Sequence, residues 1–426
     1  MRFLRGRRGP ALPAALGILL LGLAAGCESK NEPAGGTAGS AGDKPIVVGS
    51  TLSLTGAFAA TGAIHKIAGE QFVARLNAAG GLLGRQVRWV VRDDESDQAK
   101  VSTLYEQLIS QDKVDLIIGP YATPNILSAM AVAARHGYTL PQHTAVLAPL
   151  MTYNCQFPGW SIGPAPNQYV PNQLFDAVAS LPTPPKRVAI LTNQNGSTDF
   201  VSYGAGNDKT GMVSIAKQRG LTVVREIRYP PTTTDWGPLA AQVRDARPDL
   251  VVNDGLGVDP VNLLQAMAQL KYRPPLMFSL FPAPGPPLGL GKTADGLLSV
   301  SIFEPNQATL AKLGSNATSI VTDFATRAKA GKLPYPVFET QAAASWNAWE
   351  ILVAGVKAAG SLDQKADCDA LHRSGADTTF SGHLTFDPKV HNFWPSTLAI
   401  KQIQQGEWVS VWPADRAAGK LQPPAA

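Results

Sequence analysis

The sequence predicts an α/β protein made of two doubly wound, parallel-sheet lobes. Short apolar runs alternate with longer stretches of helical periodicity, as expected for parallel strands covered by helices on both faces. The alternation passes through two successive sets. Beyond an N-terminal leader and a polar tether, roughly 370 residues remain, which is long for one hydrophobic core and suggests two.

The leader comes first. Arg2, Arg5, Arg7 and Arg8 precede any acidic residue, and an apolar run from Ala14 to Ala25 leads to Gly26 and Cys27. That is the layout of a secretory signal over residues 1–26, too short for a comfortable membrane span. Leu23-Ala24-Ala25-Gly26-Cys27 resembles the bacterial lipobox, which implies that Cys27 is acylated and becomes the membrane anchor. Residues 27–44 are mostly Gly, Ala, Ser, Thr and Pro, a composition that buries too little surface to fold and reads as a flexible tether. The expected location is the cell envelope, on the periplasmic or extracellular face.

The net charge of +5 includes the four leader arginines. Without them acids and bases nearly balance, which leaves no electrostatic argument for nucleic acid. Besides Cys27 there are only Cys155 and Cys368. An exported compartment permits them to pair, and two distant cysteines can equally be buried and free.

The folded elements then follow in order. Pro45–Leu52 is the first strand, ending in the polar turn Ser53–Ala57, and a helix is expected from Gly62 to Ala79 with Ile64, Ala68, Phe72 and Leu76 on one stripe. Gly80-Gly81 stop it. Gln86–Val91 is the second strand, and Asp93–Asp97 lead into a helix through Leu104, Leu108 and Ile109. Asp115–Gly119 is the third strand, with its turn at Pro120–Asn125. The second set has strands at Arg187–Thr192, Leu221–Glu226 and Leu250–Asn253. Its helices run through Ile215 to Arg219, around Leu239–Ala246 and from Asp259 to Leu270. Ligands of such sheets sit beyond the carboxyl ends of the strands, so the turns after strands are where a site is sought.

Several chemistries are excluded. Gly289-Leu-Gly-Lys-Thr293 resembles the end of a phosphate loop, but Pro286 stands where that loop needs glycine. Asp93, Asp94 and Asp97 lack the glycine and terminal glutamate of a calcium loop and read as a strand-end turn with helix capping. The six histidines form no pair at metal spacing, and there is no G-x-S-x-G elbow. No catalytic set, metal or cofactor is expected.

The chain resembles the leucine/isoleucine/valine-type solute-binding proteins of ABC importers over roughly Ile46 to Pro413. The resemblance rests on Leu54-Thr-Gly56, Asn77–Gly84, Arg92–Asp97, Val114–Pro120, Thr234-Asp-Trp236 and Phe380–Asp387 in that order. It implies the type I periplasmic binding fold, two lobes joined by three crossovers near 162–165, 302–305 and 387–393. Lobe one is then 45–163 plus 304–386, lobe two 164–303 plus 387–415, and 416–426 a tail. Both cysteines fall in lobe one.

The same resemblance implies a ligand carboxylate held by Thr123, with Tyr121 and Ala122 beside it, and by Thr144 next to His143. Hydroxyls and amides donate hydrogen bonds without carrying charge into a cleft. Thr123 and Thr144 can instead, or also, cap helices. Ser53, Thr55 and Ala57 line the same wall. Two departures stand out: Phe281 occupies the position of the acid that pairs with a ligand ammonium, and Thr61 that of a packing tyrosine. Asp254 either supplies the missing charge or is a turn residue, and Phe200 and Tyr203 are candidates for an aromatic wall. The implied activity is a monomeric, lipid-anchored receptor that binds an amino acid, amide or carboxylate and delivers it to an inner-membrane ABC permease. A ligand sensor for a membrane signalling partner is the alternative, and an enzyme is disfavoured.

Overall fold

In the computed structural model, residues 44–206 and 209–423 are described. The leader, Cys27 and the tether lie outside them. The chain starts with β1 (Ile46–Leu52), α1 (Ala59–Ala78), β2 (Val87–Asp93), α2 (Gln98–Ser110), β3 (Leu116–Ile117), α3 (Thr123–His136), β4 (Leu140–Thr144) and β5 (Gln156–Trp160). β1 pairs in parallel with β2 and β3, and β4 in parallel with β5. β3 is short because the chain changes neighbour: Ile118 N–H still donates to Gly49, whereas Gly119 N–H donates to Pro141 at β4. Successive β1 residues feed opposite cores. Ile46 and Val48 pack with Phe72, Trp346 and Trp349, while Val47 packs with Tyr105 and Ile126.

The second set runs α4 (Pro166–Ala179), β6 (Arg187–Asn193), α5 (Gly196–Tyr203), α6 (Gly211–Gln218), β7 (Thr222–Tyr229), α7 (Gly237–Ala246), β8 (Leu250–Gly257), α8 (Asp259–Gln269), β9 (Leu276–Pro282), α9 (Gly285–Leu288) and β10 (Leu297–Ser301). After it come α10 (Gln307–Ala330), α11 (Thr340–Ala359), α12 (Gln364–Ser374), β11 (Ala376–Thr378), β12 (Gly382–Leu384), β13 (Ala399–Gln404) and β14 (Glu407–Trp412). One seven-stranded sheet has the order β14-β13-β10-β9-β8-β6-β7. Its first five strands in chain order are parallel, and β13 and β14 are antiparallel at the edge. Val188 and Ile190 of β6 point into one core with Phe175 and Phe278, and Ala189 and Leu191 into the other with Leu239 and Leu263. Both faces are covered, as a parallel sheet requires.

Close approaches fix the helices on the strands. A Cβ on Gly62 would stand 1.9 Å from the Ser53 carbonyl oxygen, so α1 can start this tightly on the β1 turn only through glycine. The aspartate cluster does the work of a strand-end turn and cap. Asp94 accepts from the hydroxyls of Thr51 and Ser53, Asp93 from that of Thr55, and Asp97 caps α2 through Ala99 N–H.

Near the third passage between the two layers, residues 392–394 pack on the β1–β5 layer. Phe393 and Trp394 pack with Tyr105 and Phe157, on the β1–β5 side, and Asn392 donates to the carbonyls of Asn154 and Gln156. Ala399, by contrast, pairs with Ser301 of β10 in the seven-stranded sheet. Pairing of Cys155 with Cys368 closes the question of the two cysteines. They form a disulfide next to Phe157, Leu371 and Trp394. The final segment packs as well: Gln402 accepts from Gln422 N–H, and Arg416 donates to the Leu398 carbonyl.

Candidate ligand cleft

A cleft of about 530 Å³ opens where strand ends of the two layers face each other. The β1–β5 layer supplies Phe58, from the turn before α1, and Tyr121, Ala122, Thr123 and Pro124 at the start of α3. Ala145 and Val146 follow β4, Trp160 ends β5, and Gln341 comes from the first turn of α11. Across from them stand Asn195 and Ser197 at the start of α5, Leu256 of β8 and Phe281 of β9. The rims meet: a Cβ on Gly196 would lie 3.5 Å from Leu147, and one on Gly257 3.8 Å from the Ala57 carbonyl oxygen.

Two edge-on ring pairs make the walls. Phe58 and Tyr121 have centroids 5.7 Å apart at 79°, and Trp160 and Phe281 5.9 Å apart at 87°. The polar groups are few and are donors in the main. Thr123 Oγ1 accepts from Val146 N–H at 2.9 Å, which leaves its own proton free to be donated into the cleft. Ala122 has φ 72°, an uncommon conformation outside glycine, and precedes the first amides of α3. Asn195 caps α5 through Ser197 N–H. Two helix N-termini thus face the same space, and both favour negative charge. No Asp, Glu, Lys or Arg is among the lining residues.

Several other candidates from the sequence lie outside this lining, each for a local reason. Ser53 and Thr55 spend their hydroxyls on Asp94 and Asp93, and Phe58 reaches the cleft from their turn instead. Ala57 is exposed at the rim. His143 stands one layer back, its ring 4.2 Å from that of His65 and its Nδ1 at the Pro120 carbonyl. Burial lowers His143 to about 4 and His65 well below its ordinary value, so both are neutral. Thr144 ends β4 in register with Trp160. Phe200 is not among the lining residues, and Tyr203 packs on the seven-stranded sheet under Arg228. The aromatic wall comes from other residues. Phe58, Trp160 and Gln341 were not legible as site residues, since only packing brings their elements to the strand ends.

Asp254 is also misplaced for an ammonium partner. It is fully buried in β8 behind α5, where the Ser202 hydroxyl donates to it, and it does not line the cleft. Burial pushes its carboxyl up to about 7. A folded-state value above the ordinary one means the folded state holds the proton more tightly, so this group's stabilisation is lost as pH rises from about 4 through 7. Asp254→Asn should therefore gain stability relative to wild type between pH 5 and pH 8, by on the order of 2–4 kcal/mol. Melting curves at the two pH values check this, and an unchanged difference would contradict it.

A two-layer α/β body with a mostly apolar cleft between strand ends defines a small-molecule binding protein. The chain belongs to the periplasmic binding protein family, whose model matches residues 45–407. A Leu/Ile/Val-binding protein homolog of Brucella abortus is 25% identical over 400 residues, 88% of this chain and 93% of the relative. An R. palustris ABC-transporter solute-binding protein, solved in complex with benzoate, superposes with a TM-score of 0.70 at 19% identity, covering 90% of this chain and 98% of that one. A branched-chain amino acid transporter substrate-binding protein from Streptococcus pneumoniae, solved with isoleucine, gives 0.66 at 18% identity, covering 86% and 98%. The fold is that of type I periplasmic binding proteins, and these relatives are solute-binding proteins rather than enzymes.

Proposed function

We propose that this chain is an extracytoplasmic receptor, lipid-anchored through Cys27, that binds a small carboxylate with an aromatic body and delivers it to an ABC permease. The cleft's composition carries the reading. Thr123, Ser197 and the N-termini of α3 and α5 offer donors to a carboxylate, four rings offer a flat apolar enclosure, and no acid lines the space. An α-amino acid would bring its ammonium into that enclosure with no counter-charge, a costly desolvation. The R. palustris neighbour's benzoate has the same chemistry, a carboxylate on a ring.

The lobes are divided as the resemblance implies, with the third crossing moved to 395–398, and they close on the ligand about these crossings. Binding energy goes into the closed state, which the permease reads.

A thermal-shift and titration series tests the ligand class. Benzoate and phenylacetate at 100 times their dissociation constants should add about 2.7 kcal/mol to stability, while leucine and benzamide add little. A leucine shift without a benzoate shift overturns the reading. Thr123→Val should weaken benzoate by about 10- to 100-fold, the loss of a charge-assisted hydrogen bond, and Thr123→Ser should retain most of the affinity.

A further inference from the structure

Gln341 is the unusual group in this cleft. It sits one residue inside α11, whose N-cap Glu339 accepts its backbone N–H at 2.9 Å. It is 8% exposed and lines the cleft. Its Oε1 lies 3.3 Å from Nε2 of His65. His65 is neutral, and a carboxamide oxygen only accepts, so the single ring proton sits on Nε2 and is donated to Gln341. That leaves His65 Nδ1 as a bare acceptor, in keeping with its lack of a partner. The bond fixes the orientation of the amide: with Oε1 toward His65, the Nε2 donors have no protein partner among the described residues.

A second donor waits beside it. Trp160 Nε1 is buried without a hydrogen-bond partner, and Trp160 lines the same cleft. Trp160, Phe281 and Gln341 also border a smaller chamber of about 230 Å³ lined by Ser299, Glu339 and Lys401. Thr123, Val146, Asn195 and Ser197 do not border it. Gln341 and Trp160 thus border both spaces, whereas Thr123, Asn195 and Ser197 border the cleft alone. Buried donors left unpaired cost free energy, so an oxygen acceptor on the ligand would recover it beside Gln341 and Trp160.

We infer that Gln341, oriented by His65, reads a ring oxygen on the side of the ligand remote from its carboxylate, so that the preferred ligand class is an oxygen-substituted aromatic carboxylate. This rests on the carboxylate reading above and adds the second contact. Gln341 is a specificity determinant, and His65 acts through it as a positioning residue. Discrimination of this kind is asymmetric: a ligand that lacks the oxygen leaves the donors unpaired, and so binds less well than its apolar area alone would give.

The test is calorimetric titration of the purified protein with benzoate, 3-hydroxybenzoate and 4-hydroxybenzoate. Wild type should bind one hydroxybenzoate about 3- to 10-fold more tightly than benzoate. In Gln341→Met, which keeps the side-chain volume, that preference should vanish. A melting temperature close to that of wild type reports an intact fold. His65→Leu should lower the preference in the same direction, and a role confined to packing would leave the ratio alone. Equal affinities in wild type, or equal weakening of all three acids in Gln341→Met, overturn the inference and leave the carboxylate reading in place. Binding of none of the three by wild type overturns both.

Discussion

Replacing Lys401 by methionine is expected to cost on the order of 3–5 kcal/mol of folding stability at pH 8. Lys401 of β13 is 4% exposed in its side chain and sits 2.7 Å from Glu304 Oε1 and 3.9 Å from Glu339 Oε2. Its ammonium also lies over the Trp408 ring, 4.6 Å from the centroid. Glu304 accepts from Ser301 as well, and Glu339 caps α11. Removing the one cation leaves two buried carboxylates facing each other. Burial already pushes the Glu339 carboxyl up, with Lys401 opposing, and loss of Lys401 removes that opposition. The sign follows. In the variant the Glu339 carboxyl is held further above its ordinary value, so the folded state binds extra protons and stability falls as pH rises. The deficit relative to wild type should shrink between pH 8 and pH 5, and adding Glu304→Gln and Glu339→Gln should recover most of it. Urea unfolding at both pH values measures this. A loss below about 1 kcal/mol at pH 8 would show that water or relaxation already screens the cluster.

Loss of the Cys155–Cys368 disulfide should be comparably severe. The bond joins positions 213 residues apart. Chain-entropy arguments then assign it about 5 kcal/mol through restriction of the unfolded state, and measured values for native disulfides fall near 2–5 kcal/mol. Cys155→Ser with Cys368→Ser should lower the urea midpoint accordingly. Reductant should lower wild type to a similar midpoint and leave the double variant unmoved. Because both cysteines lie away from the cleft-lining residues, benzoate affinity should change little at temperatures where the variant is folded.

Much of the fold was legible in the chain. The three strands of the second set read from the sequence, β6, β7 and β8, are apolar runs whose alternate residues feed opposite cores, and their bounds agree with that reading to within a few residues, whereas β9 and β10 were not read as strands. Capping was readable too, since Asp97 stands one residue before α2 and Gly80-Gly81 follow α1. The site was only partly legible. Tyr121, Ala122 and Thr123 lie where the chain leaves β3 for α3 and Phe281 lies near the end of β9, and a resemblance of motifs finds such strand ends. Asp254 also stands in β8 near a strand end, and nothing local distinguishes it from Leu256 two residues later. A register irregularity between Asn253 and Leu256 breaks the alternation that would put both on one face: Asp254 turns under α5 and Leu256 into the cleft.

By itself the sequence determined the alternating α/β order, the turns that carry donors and the absence of an acid at Phe281, because these depend on local periodicity and residue type. Only the tertiary structure decided which groups meet. α11 follows the third strand by more than 200 residues, yet its Gln341 shares one cleft with Tyr121 and Trp160 and one hydrogen bond with His65. The pairing of Cys155 with Cys368 and the burial of Lys401 between Glu304 and Glu339 were decided in the same way. Such contacts are set by how the two sheets and the chain crossings pack. No local pattern encodes that geometry, since side chains this far apart in sequence leave no periodicity between them.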